Sequence, residues 1–224
     1  MCGFVGIYSP KNPELADLQL LKRMTDTLTH RGPDAQYLSR QPGLGLGFCR
    51  LSIIDLLGGK QPIFNEDGTV VLVCNGEIYN YRALRKKLRQ RGHCFQAEVD
   101  VEVLVHLYEE NGPEFVQELS GQFAFALYDQ PRQRLLLGRD PAGIAPLYYF
   151  WRDGTLLFAS EIKALLEHPL VDRRVDLTGL DQVLTFPGPV SPRTLFADIR
   201  SVPPGHMLIV EAGVPVCRCQ DHRI

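Results

Sequence analysis

In the run Phe123–Tyr128 bulk and alanine alternate: Phe123, Phe125 and Leu127 share one face of an extended chain, Ala124 and Ala126 the other. Successive strand side chains point to opposite sides, so this run reads as a strand covered on both faces, on one of them closely. Other short apolar runs join into hairpins. Ile63–Phe64 and Thr69–Val73 flank Glu66-Asp67-Gly68, and Leu147–Trp151 and Thr155–Ala159 flank Asp153-Gly154; Asp-Gly supplies the positive φ angles of a hairpin turn. Phe4–Ile7 reads as a buried strand. Gly43-Leu44-Gly45-Leu46-Gly47 reads as a strand packed closely at its glycines, because Phe48 stands where a dinucleotide fingerprint needs its third glycine. Three helices are legible. Asn12-Pro13 opens one that carries Leu18, Leu21, Met24 and Leu28 and stops at Gly32. Tyr81–Arg91 carries Leu84 and Leu88 and ends at Gly92; Asp100–Glu110 carries Val103, Leu104, Leu107 and Tyr108 on one face and ends at Asn111-Gly112. Strands in hairpins with amphipathic helices outside predict an α+β layered sandwich. After Asp172 a proline-dense, largely irregular stretch leads to one more hairpin, His206–Val210 with Val214–Val216.

The 224 residues carry 24 basic and 26 acidic side chains, a net charge of −2, which gives no field for gripping nucleic acid or an acidic membrane. No run approaches the ~20 apolar residues of a membrane helix, and the first charged side chain, Lys11, comes too late for the basic flank of a signal peptide. Six cysteines in a chain of this length read as free thiols in a reducing compartment. A cytoplasmic protein without nucleic-acid or membrane partners is expected. Cys49, Cys74 and Cys94 read as small core hydrophobes. The basic run Arg82, Arg85, Lys86, Lys87, Arg89, Arg91 reads as a solvated helix face, and Cys217-x-Cys219 with Asp221 and His222 as a polar tail rather than a metal site.

Cys2 is the sharpest chemical candidate. Initiator methionine is normally removed before a small residue, which would leave Cys2 as the N-terminus. An α-amine has a pKa of about 7.7–8.0, so one residue would then carry both a nucleophilic thiol and its own base. Position alone is weak support. The wider sequence is stronger: Met1-Cys2-Gly3-Phe4-Val5-Gly6-Ile7, His30-Arg31-Gly32-Pro33-Asp34, Arg50-Leu51-Ser52-Ile53-Ile54-Asp55, Gln61-Pro62 and Asn75-Gly76-Glu77-Ile78-Tyr79-Asn80-Tyr81 follow in order. Glu118–Asp129, Phe158–Leu165 and Pro203-Pro204-Gly205-His206 continue the series. This series resembles the class II glutamine amidotransferase domain at the front of glutamine-hydrolysing asparagine synthetases, from Cys2 to about Val210.

The resemblance implies a four-layer αββα sandwich of two mainly antiparallel sheets, of the N-terminal-nucleophile hydrolase type. It implies hydrolysis of L-glutamine to L-glutamate and ammonia through a γ-glutamyl thioester on Cys2. Asn75 and the Gly76 N–H would hold the oxyanion, glycine at 76 leaving the backbone open to substrate. Arg50 would clamp the α-carboxylate, Glu77 and Asp100 the α-ammonium, and Leu51, Ser52, Ile53 and Ile54 would line the pocket. Without that context Arg50 reads as a surface ion pair and Asp100 as a helix cap.

Departures from the family pattern are Phe48-Cys49 before Arg50, Ala97 and Val99 before Asp100, and Ala145 in place of a frequent lysine. The lost hydroxyl beside Asp100 bears on glutamine affinity rather than on the chemistry. No Ser-Gly-Gly-x-Asp-Ser pyrophosphate loop occurs. The expected organisation is therefore a glutaminase domain over 1–216, and a tail, 217–224, that begins a linker to an absent synthetase domain. No metal or cofactor is expected in this chain, ATP and Mg²⁺ belonging to that synthetase domain. Expected partners are L-glutamine and a synthetase domain or subunit that accepts the ammonia, with homodimerisation open. A catalytically silent docking module for a synthetase subunit is the alternative, and a hydrolase of another amide a third reading.

Overall fold

Alternation along the strands decides which side chains meet, and a computed structural model describing residues 1–52, 59–211 and 214–219 shows how. The first half of the chain forms β1 (Gly3–Tyr8), α1 (Leu18–Asp26), β2 (Ala35–Gln41), β3 (Leu44–Arg50), β4 (Ile63–Phe64), β5 (Val70–Ile78), α2 (Tyr81–Gln90) and α3 (Val103–Asn111). Then come β6 (Gly121–Asp129), β7 (Arg134–Arg139), β8 (Tyr148–Arg152), β9 (Thr155–Ala159), α4 (Ile162–Leu165) and α5 (Leu177–Thr185). The short β10 (Ile199–Ser201) precedes the hairpin of β11 (His206–Glu211) and β12 (Val214–Cys219), so the strand carries Cys217 and Cys219 into the ladder.

Two six-stranded sheets result, ordered β10-β8-β9-β1-β3-β2 and β12-β11-β7-β6-β5-β4, with every pairing antiparallel. Even-numbered residues of β1 and β3 (Phe4, Tyr8, Leu44, Leu46, Phe48) meet Val71, Val73, Ala124 and Ala126 in a core between the sheets. Their odd-numbered neighbours Val5, Ile7 and Cys49 pack outward on Leu20, Leu21, Met24 and Leu28 of the α1 region and on Ala164 and Leu165 of α4. On the far side Leu72, Phe123, Phe125 and Leu127 pack on Leu84, Leu88 and the apolar side chains of α3. The layers thus run helix, sheet, sheet, helix. Ala124 and Ala126 form the close face inferred from sequence, letting the first sheet approach, while the phenylalanines fill the wider gap to the helices.

Gly45 and Gly47 let α1 lie against β3: a Cβ on Gly47 would stand 2.0 Å from Thr25 Oγ1. The Asp153-Gly154 turn takes positive φ at both residues, +49° and +80°. At Asp67-Gly68 only the glycine does, because the connection is longer.

Four local expectations change. α1 opens at Asp17, whose carboxylate caps the Leu20 N–H at 2.8 Å, whereas Pro13–Leu15 is an isolated 3-10 turn and Leu18 is exposed. A side-chain acceptor for a free helical N–H outweighs a proline that only fixes φ. Asp100–Glu102 is likewise a 3-10 turn ahead of α3, and α3 is buried all round from Val103 to Tyr108, not on one face. Cys94 is exposed rather than in the core. The proline-dense region holds α5, capped by Asp176 through the Gly179 N–H at 2.9 Å.

Candidate active site

The same alternation builds a site. Register pairs Gly3 with Cys49, so Cys2 arrives beside Arg50, and both are even-numbered positions turned to the space between the sheets. On β5 the parity of Val71 and Val73 carries Asn75 and Glu77 into that space from the opposite side. A cavity of about 110 Å³ forms where they meet, lined by Cys2, Arg50, Leu51, Asn75, Gly76, Glu77 and Asp100, with Met1 in its wall. Every residue assigned to nucleophile, oxyanion and charge recognition therefore faces one volume. Ser52 does not line it; its N–H donates to Asp34 at 2.7 Å. Ile53 and Ile54 lie outside the described residues.

The thiol is held by backbone. The Leu51 N–H donates to Cys2 Sγ at 3.4 Å, and the Cys2 carbonyl accepts from Arg31 Nε at 2.9 Å. Arg31 is fixed in turn by Glu161 at 3.0 Å. Burial pushes the Cys2 thiol above the ordinary range, against the opposing pull of the Leu51 N–H, the chain's terminal ammonium and Arg50. A thiol so placed is protonated at neutral pH and needs a base to become a nucleophile.

Asn75 is 1% exposed, and its Nδ2 donor has no partner among the described residues. Buried amide donors are nearly always satisfied because an unmade bond costs about 1–3 kcal/mol. An orphan donor in the wall of the cavity is arranged for an acceptor that arrives from outside. Gly76 has φ +152°, and a Cβ there would fall 2.1 Å from the Gln122 carbonyl oxygen. Close passage of β6 is therefore what requires glycine, rather than room for a substrate.

At the acidic end burial outweighs the groups that favour the charged form. Burial pushes Asp100 up despite its 2.6 Å bond from the Ile78 N–H, and burial and then the neighbouring Asp100 push Glu77 up. Two carboxylates in this state favour a cationic group brought by a ligand. Approach to Asp100 is fixed by Arg85, which is buried rather than solvated. Its Nη2 donates to the Val99 and Ala97 carbonyls at 2.6 and 3.0 Å, and the guanidinium stacks on Phe95 at 4.7 Å. Gln61, present in the sequence only as part of the Gln61-Pro62 motif, lines the cavity, and its side chain bridges the Cys74 N–H and carbonyl at 2.6 and 2.9 Å. A polar residue before a proline gave no signal of that bridge.

Sandwich and cleft together define a four-layer αββα domain with a cysteine thiol, an unpartnered amide donor and two carboxylates around one cavity. The family model for the glutamine amidotransferase domain matches residues 1–218, and this chain belongs to that family. It is 40% identical over 211 residues, 93% of this chain and 34% of the relative, to asparagine synthetase [glutamine-hydrolyzing] 3 of Bacillus subtilis (strain 168). Asparagine synthetase B [glutamine-hydrolyzing] of Escherichia coli (strain K12) is 42% identical over 167 residues, 74% of this chain and 30% of that protein. The chain thus spans about a third of the length of these relatives. Among solved structures, glutamine phosphoribosylpyrophosphate amidotransferase from B. subtilis superposes with a TM-score of 0.69 at 20% identity, over all of this chain and 50% of that one. The likeness is one of fold. No helix among the described residues is long and apolar enough to cross a membrane.

Proposed function

We propose that this domain hydrolyses L-glutamine to L-glutamate and ammonia, with Cys2 as nucleophile once Met1 is removed. The freed α-amine takes the thiol proton as sulfur attacks the side-chain carbonyl, and returns it to the departing ammonia. Asn75 Nδ2 and the Gly76 N–H hold the oxyanion. Arg50 binds the α-carboxylate, and Glu77 with Asp100 the α-ammonium. Water then releases glutamate from the thioester. The observation that carries this reading is the unpartnered Asn75 donor in the same cavity wall as the thiol.

The names of the relatives support an ammonia acceptor in asparagine synthesis or a similar ATP-dependent amidation. ATP and Mg²⁺ are assigned to the accepting synthetase domain or subunit, no cofactor to this chain, and the location to the cytoplasm. Cys2→Ala tests the proposal: glutamine-dependent ammonia release should vanish while circular dichroism stays unchanged. Full activity in that variant would overturn it, and a folded, inert wild type that binds a synthetase would favour the docking-module alternative.

A further inference from the structure

Four ligand-type side chains converge on the helical side of the second sheet, away from the Cys2 cavity. Glu66 stands in the turn between β4 and β5, His93 just beyond α2, and His106 and Glu109 one turn apart on α3. One donor atom from each lies within 4.8 Å of all the others. His106 Nδ1 is 3.2 Å from Glu109 Oε2 and 3.6 Å from Glu66 Oε2. His93 Nδ1 is 3.6 Å from Glu109 Oε2 and 3.8 Å from Glu66 Oε1. Only the first is short enough for a sound hydrogen bond. These separations of 3.2 to 3.8 Å lie close to the spacing of about 3.3 Å that metal–ligand bonds of about 2.0–2.1 Å set between the ligand atoms of a tetrahedral site.

Surrounding groups hold these atoms in the orientation of ligands. His93 Nε2 lies 3.0 Å from Glu110 Oε1, which fixes the ring with Nδ1 turned to Glu66 and Glu109. Glu66 Oε1 accepts from the Cys94 N–H at 2.9 Å, and Glu109 Oε1 from Asn65 Nδ2 at 2.8 Å. Anchored carboxylates, and in His93 an imidazole steered through its second nitrogen, are the usual outer contacts of a metal centre. His106 is 1% exposed, lies edge-on to Phe95, and makes no polar contact at Nε2 among the described residues. Its Nδ1 side is where its chemistry points.

We propose that Glu66, His93, His106 and Glu109 form a binding site for a zinc-type divalent cation. Two imidazoles with two carboxylates suit zinc and its first-row neighbours, and the carboxylates neutralise its charge; calcium and magnesium call for larger all-oxygen sets. The ion ties the β4–β5 turn, the segment after α2 and α3 into one unit. None of its ligands lines the Cys2 cavity, so its role is structural: it anchors the start of the segment, residues 93–99, that leads to Asp100.

The test uses tag-free protein stripped with a chelator, titrated with Zn²⁺ by calorimetry and with Co²⁺ by visible absorption. The expected result is one ion per chain, a four-coordinate cobalt spectrum without thiolate charge transfer, and a rise in Tm with zinc but not magnesium. Glu66→Gln and His93→Asn, both at solvent-reachable positions, should each weaken zinc binding at least tenfold with circular dichroism unchanged. Absence of stoichiometric binding, a thiolate signature in the cobalt spectrum, or equal affinity in both variants would overturn the assignment.

Discussion

Asn75 shows how a single buried donor separates catalysis from stability. Its Nδ2 has no bond to lose among the described residues, so Asn75→Ala should leave Tm unchanged or slightly raised. It should lower kcat for ammonia release by about 10²–10³-fold, the usual cost of one oxyanion donor. A large fall in Tm with kcat preserved would mark Asn75 as a structural residue instead. Asp100 behaves differently. A carboxyl whose pKa is raised by folding weakens the fold above that pKa, and the penalty fades as pH falls through it. Asp100→Asn keeps an acceptor for the Ile78 N–H and removes the charge, so it should not destabilise the domain at neutral pH. KM for glutamine should nonetheless rise more than tenfold. The proposed ammonium clamp requires Asp100 and Glu77 ionised, and both are pushed up. Affinity measured against pH should therefore decline on acidification before the ordinary carboxylate range is reached; a flat profile into that range would contradict the ammonium clamp.

At the scale of elements, glycine placement on β3 sets how closely α1 docks. Thr25 Oγ1 is locked onto the Leu21 carbonyl at 2.6 Å and cannot swing away from a Cβ at position 47. Gly47→Ala should cost about 1–3 kcal/mol of stability by urea unfolding, as overpacking does; no loss would mean that α1 shifts freely. Strand elements were legible in the sequence because alternation of bulk and alanine in β6, and of glycine and leucine in β3, reports both faces at once. Helix starts were less legible. Asn12-Pro13 and Asp17 offer competing signals, and only the geometry of the Leu20 N–H shows which one closes a bond. Arg85 was hidden among five other cations, since its burial depends on the loop at 97–99 folding back onto α2. α5 was masked by neighbouring prolines, and its exposed Leu177 and Leu184 break the amphipathic pattern by which helices are recognised.

On the scale of the whole molecule, the site exists because two sheets stack with their strand parities matched. Cys2 and Arg50 enter from one sheet, Asn75 and Glu77 from the other, and neither sheet alone holds both the thiol and the unpartnered Asn75 amide. The motifs around these residues suggest the proposed chemistry. Their convergence depends on long-range register, as between Gly3 and Cys49, which local sequence does not encode. Cys94 supplies an internal control, being exposed and remote from the cavity. The central claim is most directly tested by acid-quenching the domain during glutamine turnover and locating the acyl adduct by peptide mass spectrometry. The account predicts one glutamyl group in thioester linkage on a Cys2 that has lost Met1 and has a free α-amine. An adduct on Cys94, or turnover by protein that retains Met1, would contradict it.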